Sequence, residues 1–221
     1  MNIQMVINLF VSVLPWFLKR PILTGCYGYD IHPRARIGLS YVFPKKMKLG
    51  DNSRIGSFNI IKNLENLVLD SESTISNFNW ISAHPAQSNS FSHKNRRAEM
   101  LVGKHSSITM WHRFDCTDSI KIGGFTTIAG YRSSFLTHSV NVVDCVQDCK
   151  PIDIGNYCFL GTNIVMLPGS RVSDHSLIGA MTLVNKPLES PYSLYAGVPV
   201  RRIRSVETGA KYFTRTTGRI V

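Results

Sequence analysis

The sequence predicts an all-β fold, a parallel β-helix assembled from six-residue repeats, and two observations support that prediction. Between residues 154 and 185, apolar side chains recur at a strict spacing of six, and small or polar side chains recur four positions after several of them, as at Cys158 and Ser176. A period of six matches neither a helix nor an isolated strand. It is typical of a prism in which each repeat supplies one strand and one turn. A chance apolar run in an ordinary β domain is the alternative, and six consecutive matches disfavour it. The apolar residues are Ile154, Leu160, Met166, Val172, Ile178 and Val184.

The same spacing defines the organisation of the chain. It begins at Ile31 and Ile37 and continues, with shifts of frame, to about residue 204. Polar stretches at about 83–98 and 139–151 interrupt it, and we expect them to form loops that leave the prism. The prediction is an N-terminal helical segment at 1–30, a β-helix domain at 31–204 and a basic tail at 205–221. The tail is expected to wrap a neighbouring subunit, cap the open end of the prism or be partly disordered.

Composition narrows the choice of partners. The formal net charge is +11, which favours an anionic partner such as cofactor phosphates, acidic glycans or a membrane surface. Nucleic acid is disfavoured, because no binding motif is present and the basic residues are spread along the chain. The 5 cysteines are scattered, which argues against a disulfide framework and for a reducing, cytoplasmic compartment.

The apolar segment at residues 3–18 is followed by Lys19 and Arg20. The run before Pro15 is too short to span a bilayer, and it lacks the features of a signal peptide. Two interpretations stay open. The segment is either a helix packed on the domain or its oligomer partner, or an anchor through residues 1–20 at the cytoplasmic face of the inner membrane, where Phe17 and Lys19 suit the membrane boundary. Packing is favoured, because amphipathic stretches more often face a core.

His138 is the candidate general base. It stands in the segment Thr137-His138-Ser139, at the end of an apolar stretch and before a polar loop. An unperturbed imidazole titrates near pH 6.5 and so accepts a proton at neutral pH. A single histidine is more often structural than catalytic, but a position at the edge of a rigid coil beneath a loop favours catalysis.

Two further segments carry a family resemblance. One is the repeat tract with Leu160-Gly161-Thr162 and Ile178-Gly179-Ala180, and the other is the closing segment AGVPVRRIR at residues 196–204. Over about residues 31–204, the chain resembles the left-handed β-helix acyltransferases with hexapeptide repeats, which include galactoside, maltose and serine acetyltransferases. The segments around Asp115 and His138 also look similar to acetyltransferases of surface-polysaccharide gene clusters. The chain departs from the family pattern at Val200, where a small residue is usual, and at Arg201, where lysine is usual.

The resemblance implies a left-handed parallel β-helix and an O-acetyltransferase that uses acetyl-CoA and no metal. His138 matches the family's catalytic histidine, which deprotonates the acceptor for direct attack on the thioester. The residues that match positions around the pantetheine arm and phosphates of CoA are Gly161, Thr162, Gly179, Ala180, Asn185, Lys186, Arg201 and Arg204. The residues that match acceptor contacts are Trp111, His112, Asp115 and Arg132.

The resemblance also implies a homotrimer with active sites between subunits, and a glycan acceptor in bacterial capsule, O-antigen or exopolysaccharide synthesis. The sequence leaves three alternatives to compare with this function. An N-acetyltransferase acting on an amino sugar stays open. A γ-type carbonic anhydrase would need a second histidine five residues beyond His138, where Val143 stands. A non-enzymatic scaffold would need neither His138 nor the closing segment.

Overall fold

The structure is a computed structural model that describes residues 3–85 and 89–220, and its main body is a three-sided prism of parallel strands. Successive strands along the chain enter successive sheets, which we call the first, second and third faces. The first face consists of Asp30–Ile31, Lys46–Leu49, Asn66–Leu69, Glu99–Val102, Ile120–Ile122, Ile152–Ile154 and Arg171–Val172. The second face consists of Arg36–Ile37, Arg54–Ile55, Thr74–Ile75, Ser107–Ile108, Thr127–Ile128, Phe159–Leu160, Leu177–Ile178, Ser193–Ala196 and Arg201–Ser205. The third face consists of Tyr41–Phe43, Ile60–Lys62, Trp80–Ser82, Arg113–Asp115, Ser134–Leu136, Val165–Met166 and Leu183–Val184.

The six-residue period sets the register of these faces. Three repeats complete one coil, so each inward residue pairs with the inward residue of the next coil. Ile154 lies opposite Val172 on the first face, and Leu160 lies opposite Ile178 on the second. Met166 is paired with Val184 on the third face. All six side chains are buried. The core is therefore a column of aliphatic side chains along the prism axis, as the spacing predicts.

At each corner of the prism, small side chains point inward, and a neighbouring residue with left-handed backbone conformation points outward. At the corner between the first and second faces, residues with positive φ stack their rings from coil to coil, and neighbouring ring centroids lie 4.5 to 5.3 Å apart. We call this column the aromatic ladder. Its members are His105, Phe125, Tyr157, His175 and Tyr192. The stacking offsets the cost of left-handed backbone in residues other than glycine.

Two helices, Ile3–Val13 (α1) and Trp16–Gly25 (α2), pack on the first coil. Their inner sides bury Val11 and Leu23, as the packing interpretation expects. Lys19 is 2% exposed and its Nζ donates to the carbonyl oxygens of Ser12 at 2.6 Å and Gly38 at 2.8 Å. The expectation that Lys19 faces lipid headgroups is therefore wrong, because its ammonium holds the helices to the coil. Burial lowers its pKa to about 8.

The outer side of these helices is apolar and exposed. The exposed side chains there are Ile3, Met5, Val6, Ile7, Leu9, Phe10, Val13, Phe17 and Leu18. Within residues 3–85 and 89–220, no helix is long and apolar enough to cross a membrane.

Two excursions leave the prism. The predicted loop at 139–151 contains an antiparallel hairpin, in which His138–Asn141 pairs with Val146–Cys149. The excursion at 83–98 has a short 3-10 turn at Asn89–Phe91, and residues 86–88 of this predicted loop lie outside the described residues. Lys94 joins the two excursions through an ion pair with Asp148, with 2.7 Å between Nζ and Oδ1.

The chain closes the second face by reversing direction. The strand Arg201–Ser205 runs antiparallel to Ser193–Ala196, and Val200 between them is buried. The unusual valine of the closing segment thus contributes to the core. The tail then forms the short helix Lys211–Thr214 (α3). Phe213 packs edge-on against the end of the aromatic ladder, so the tail covers its own chain.

Candidate active site

His138 lies where the third face ends and the hairpin begins, and its side chain is 40% exposed. Its Nδ1 forms a hydrogen bond with Oδ2 of Asp115. Asp115 ends the preceding strand of the same face, where it pairs with Leu136. The two side chains therefore come from adjacent coils, at the corner between the third and first faces.

Hydrogen bonds hold the Asp115 carboxylate in place. Its Oδ1 accepts from the backbone N–H of Thr117 at 3.1 Å and from the Thr117 hydroxyl at 2.6 Å. The Thr137 hydroxyl donates to the Asp115 carbonyl at 2.7 Å, which ties the two coils together beside the histidine. Because both carboxylate oxygens are engaged, the carboxylate fixes the orientation of the imidazole. It also favours a proton on Nδ1, which leaves Nε2 as the basic nitrogen.

The electrostatics of the pair suit a general base. The hydrogen bond to Asp115 raises the pKa of His138, while partial burial and the positive charge of Arg113 act in the opposite direction. Burial alone would raise the pKa of the Asp115 carboxyl, but its hydrogen bonds with His138 and Thr117 hold that pKa below its usual value. Asp115 therefore stays ionised at neutral pH and stabilises the imidazolium that forms when His138 accepts a proton.

A cleft of ≈ 400 Å³ opens on the C-terminal side of His138. The hairpin forms one wall, with Asp148 and Lys150, and the next two coils form the other, with Leu167 and Asn185. A larger concavity of ≈ 830 Å³ runs along the outer surface of the first face, but His138 and Asp115 do not line it. We place the candidate active site at the His138 cleft, because only this one contains the histidine of the His–Asp pair.

The excursion at 83–98 covers the N-terminal side of His138. The ring of Phe91 meets His138 edge-on, with 6.2 Å between centroids, and it also meets His84 at 5.2 Å. Arg96 lies over the same phenyl ring at 5.0 Å and donates to the carbonyl oxygen of Thr117 at 2.9 Å. His138 is therefore placed between a cleft on one side and an aromatic wall on the other.

The residues predicted to contact CoA fall at three places. Gly161, Thr162, Gly179 and Ala180 lie at the corner between the second and third faces, on adjacent coils. Asn185 and Lys186 follow the last strand of the third face, and Asn185 alone of the predicted set lines the His138 cleft. Arg201 and Arg204 are exposed on the reversed strand of the second face.

Gly130 at the same corner was missed by the sequence reasoning. It has a φ of +68°, and a Cβ there would lie 2.5 Å from Cβ of Thr162. Only glycine allows the backbone to approach Thr162 this closely. The signal in the sequence was an alanine-glycine pair after Ile128, in the place where Gly161 and Thr162 follow Leu160.

The predicted acceptor residues are divided between two corners. Asp115 meets His138, as described. Trp111 stacks on Phe78 with 4.6 Å between centroids, and it lines a small cleft with Arg132 at the corner between the second and third faces. This corner is at the opposite end of the third-face strands from His138. Within one chain, Trp111 and Arg132 therefore do not reach the histidine.

His112 does not form an acceptor contact. Its side chain is inside the corner and the residue is only 1% exposed. Its Nδ1 accepts from the backbone N–H of Ser133 at 3.2 Å, and its Nε2 lies 2.9 Å from the Thr109 hydroxyl oxygen. Burial lowers its pKa to about 4. The prediction is corrected accordingly: His112 is a neutral, structural side chain that links neighbouring coils.

Two exposed residues of the third face were also missed, and the charge of one of them, Arg113, acts on His138. Arg113 precedes Asp115 by two positions, and Trp80 pairs with Arg113 on the next strand of the third face. Strand alternation was the available signal, because residues two apart point to the same side of a sheet.

No protein-family model matches the chain. Several curated relatives match parts of it. A galactoside O-acetyltransferase from Escherichia coli (strain K12) is 40% identical over 63 residues, or 28% of this chain and 30% of that protein. The putative acetyltransferase YvoF from Bacillus subtilis (strain 168) is 30% identical over 109 residues, or 49% of this chain and 62% of that protein. The matched parts thus span less than two thirds of either relative.

Solved structures share the fold over most of the chain. The polysialic acid O-acetyltransferase OatWY superposes with a TM-score of 0.62 at 15% identity, over 80% of this chain and 84% of that chain. A maltose O-acetyltransferase from Clostridium difficile 630 gives a TM-score of 0.50 at 14% identity, over 92% of this chain and 84% of that chain. The predicted fold class, a left-handed parallel β-helix of hexapeptide repeats, is confirmed. The predicted resemblance is confirmed as well: in local sequence and in fold, the chain is similar to the hexapeptide-repeat acetyltransferases.

Proposed function

We propose that the chain is an acetyl-CoA-dependent O-acetyltransferase that modifies a sugar hydroxyl, with His138 as general base. The observation that carries the proposal is the hydrogen bond between Nδ1 of the exposed His138 and the buried Asp115, beside a cleft that Asn185 also lines. Relatives that match parts of the sequence are named acetyltransferases, which supports the same reaction.

The geometry supports direct transfer. Nε2 of His138 accepts the proton of the acceptor hydroxyl as its oxygen attacks the carbonyl carbon of the thioester. Asp115 stabilises the imidazolium while the tetrahedral intermediate exists. When the C–S bond breaks, the imidazolium returns the proton to the leaving sulfur. The products are an acetyl ester and free CoA, and His138 is restored.

Acetyl-CoA fits the residues proposed for it. Gly161 allows its coil to pack closely on the next one at this corner, because a Cβ there would lie 3.0 Å from the backbone nitrogen of Ala180. Arg201 and Arg204 are exposed, and no ion pair engages them in the described ranges. Together with Lys186, they supply positive charge for the phosphates of CoA.

A homotrimer with active sites between subunits agrees with this arrangement. Gly161, Thr162, Gly179 and Ala180 are the proposed pantetheine wall, and they lie at a different corner of the prism from His138. A neighbouring subunit would therefore bring its wall to this histidine. The corner that carries the wall also exposes a stripe of apolar side chains, as expected of a surface that associates. The stripe consists of Leu39, Phe58, Phe78, Met110, Trp111, Tyr131 and Met181.

Mixing two inactive variants tests the shared site. His138→Ala removes the base and Ala180→Trp blocks the proposed wall, so each homotrimer should be inactive. Random assembly of an equimolar mixture should recover roughly a quarter of wild-type activity, because each mixed trimer has one site that combines an intact histidine with an intact neighbouring wall. No recovery in trimers verified by native mass spectrometry would exclude a shared site.

A bacterial surface polysaccharide in the cytoplasm is the acceptor we propose, in capsule, O-antigen or exopolysaccharide synthesis. The fold neighbour that acts on polysialic acid supports a glycan. We further propose that the exposed apolar side of α1 and α2 touches the inner membrane, where lipid-linked glycans are assembled.

The decisive experiment is incubation of the full chain with labelled acetyl-CoA and the glycans of its own cell, followed by mass spectrometry. We expect a glycan to gain an acetyl group, and mild base should remove that group because it hydrolyses esters. A group that survives mild base would favour the amino-sugar alternative. No transfer to any glycan would overturn the proposal.

A further inference from the structure

The outer surface of the third face carries an aromatic ring and two cations on the N-terminal side of the catalytic coil. Arg113 is exposed and shares its strand with Asp115, two residues away, so both side chains point to the same side. Along a strand this separation is about 6–7 Å. Trp80 pairs with Arg113 on the neighbouring strand. Arg113 is therefore the nearest outward-facing cation along the strand that ends in Asp115.

The ring and the second cation belong to the same patch. The indole of Trp80 is held by a hydrogen bond from Nε1 to Oγ of Ser82 at 3.0 Å, and the residue is still 43% exposed. Nζ of Lys62, on the next strand, lies 5.1 Å from the centroid of this ring. A fixed, exposed indole offers a flat apolar surface on which the apolar face of a sugar ring can stack, and the adjacent cations add positive charge.

The positive charge of this patch is not neutralised within the chain. In residues 3–85 and 89–220, neither Arg113 nor Lys62 takes part in an ion pair. The nearest carboxylate along the strand, Asp115, is already engaged with His138 and Thr117. The guanidinium of Arg113 is therefore available to an anion that arrives with a ligand.

The position of the patch relative to His138 indicates which substrate meets it. Asn185, proposed for CoA, lines the cleft on the C-terminal side of the histidine. The strands of Trp80 and Arg113 precede the catalytic coil on the opposite side. The charge of Arg113 acts on His138 from this outer surface of the third face, next to the wall formed by Phe91. We therefore assign the acceptor to the surface that carries Trp80 and Arg113.

We propose that Trp80, Arg113 and Lys62 form an acceptor subsite for a negatively charged sugar, in which the sugar ring stacks on Trp80 and its anionic substituent pairs with Arg113. The inference rests on the proposed acetyl transfer and adds the charge class of the acceptor. Guanidinium pairs with carboxylate and with phosphate alike, so the shared chemistry is an oxyanion on the sugar.

The test compares sugars that differ at C6, where a neutral hydroxymethyl group is replaced by a carboxylate or is phosphorylated. The wild-type chain is assayed with acetyl-CoA and the methyl glycosides of glucose, galactose and mannose, each next to the corresponding uronic acid and 6-phosphate. We expect kcat/KM to be at least about tenfold higher for one charged series than for its neutral partners, the scale of a charge-assisted hydrogen bond. The preferred series distinguishes carboxylate from phosphate.

Substitutions then assign the preference to residues. Arg113→Gln should bring the ratio of kcat/KM for charged over neutral sugars to about one, whereas Arg113→Lys should keep part of this preference. Trp80→Ala should lower kcat/KM for charged and neutral sugars alike. The matched control is Arg54→Gln, an exposed arginine on the second face, which should keep the full preference. Because the readout is the ratio of kcat/KM for charged and neutral substrates, any effect of Arg113 on the titration of His138 cancels.

The outcomes separate the two proposals. Equal kcat/KM for charged and neutral sugars in the wild type, or a preference that survives Arg113→Gln in a variant with unchanged melting temperature, would overturn the subsite. Transfer to neutral sugars would in that case leave the acetyltransferase proposal standing. No transfer to any of the nine sugars, nor to the cell's own glycans, would overturn both.

Discussion

His138 and Asp115 belong to adjacent coils and are separated by 23 positions in the sequence, yet a hydrogen bond joins Nδ1 of the ring to Oδ2 of the carboxylate. The coil fixes this relationship. Asp115 is the last residue of one strand, and His138 follows the end of the paired strand by two residues.

Removal of the imidazole tests the base directly. His138→Ala should lower kcat/KM for acetyl transfer by roughly a hundredfold or more, the scale of general-base catalysis, with little change in melting temperature. The control is His93→Ala, which removes an exposed histidine of the neighbouring excursion. Turnover close to wild type in His138→Ala would refute the assignment.

Asp115→Asn tests the role of the carboxylate through the pH profile. The carboxylate raises the pKa of His138, so the base of the wild-type chain loses its proton at a higher pH than an ordinary histidine. Without the charge, that pKa should fall, and the acidic limb of the profile of kcat/KM should move to lower pH. The plateau should also fall, because the imidazolium loses its stabilising partner. An unchanged limb position would show that Asp115 does not control the titration of His138.

Arg201→Glu tests the proposed phosphate contacts. Calorimetry should show weaker binding of CoA by about tenfold, because a charge-assisted contact becomes a repulsive one. The melting temperature should stay within about two degrees, since the side chain is exposed. Arg54→Glu reverses charge on the same face at the other end of the prism and should leave CoA binding unchanged. Equal affinities in wild type and Arg201→Glu would place the phosphates elsewhere.

Lys19 makes the stability of the chain depend on pH. Its pKa is about 8 in the folded chain and close to 10.5 when unfolded, so between these values the unfolded state binds the extra proton. The free energy of unfolding should therefore gain a contribution that rises from about pH 8 to about pH 10.5. Chemical denaturation of wild type and Lys19→Met across this range isolates that contribution as their difference. A difference that does not vary with pH would mean that the ammonium is solvated.

The sequence predicted the β-helix because one residue in six carries the pattern. Each short strand needs a single inward side chain, such as Ile154 or Leu160, and a coil of three strands repeats that need without interruption. His138 could also be found, since it stands where an apolar strand gives way to a polar segment.

The acceptor side could not be predicted from spacing, because the corners decide which way neighbouring residues point. Trp111 has positive φ and turns outward, while His112, one residue later, turns into the corner. A six-residue period does not resolve this one-residue difference. The hairpin at His138–Cys149 was likewise hidden, since antiparallel pairing outside the prism follows no repeat.

The helices α1 and α2 on the first coil and the reversed strand Arg201–Ser205 near the last have a consequence for assembly. A prism of identical coils ends in strands whose backbone groups could pair with the start of another prism, and chains stacked in this way would form a fibre. Here α1 and α2 pack over the opening coil, and the reversal completes the second face with a strand of opposite direction. A coil of another molecule would meet mismatched backbone there. The repeats are thereby restricted to a prism of finite length, and the proposed trimer would use its sides and not its ends.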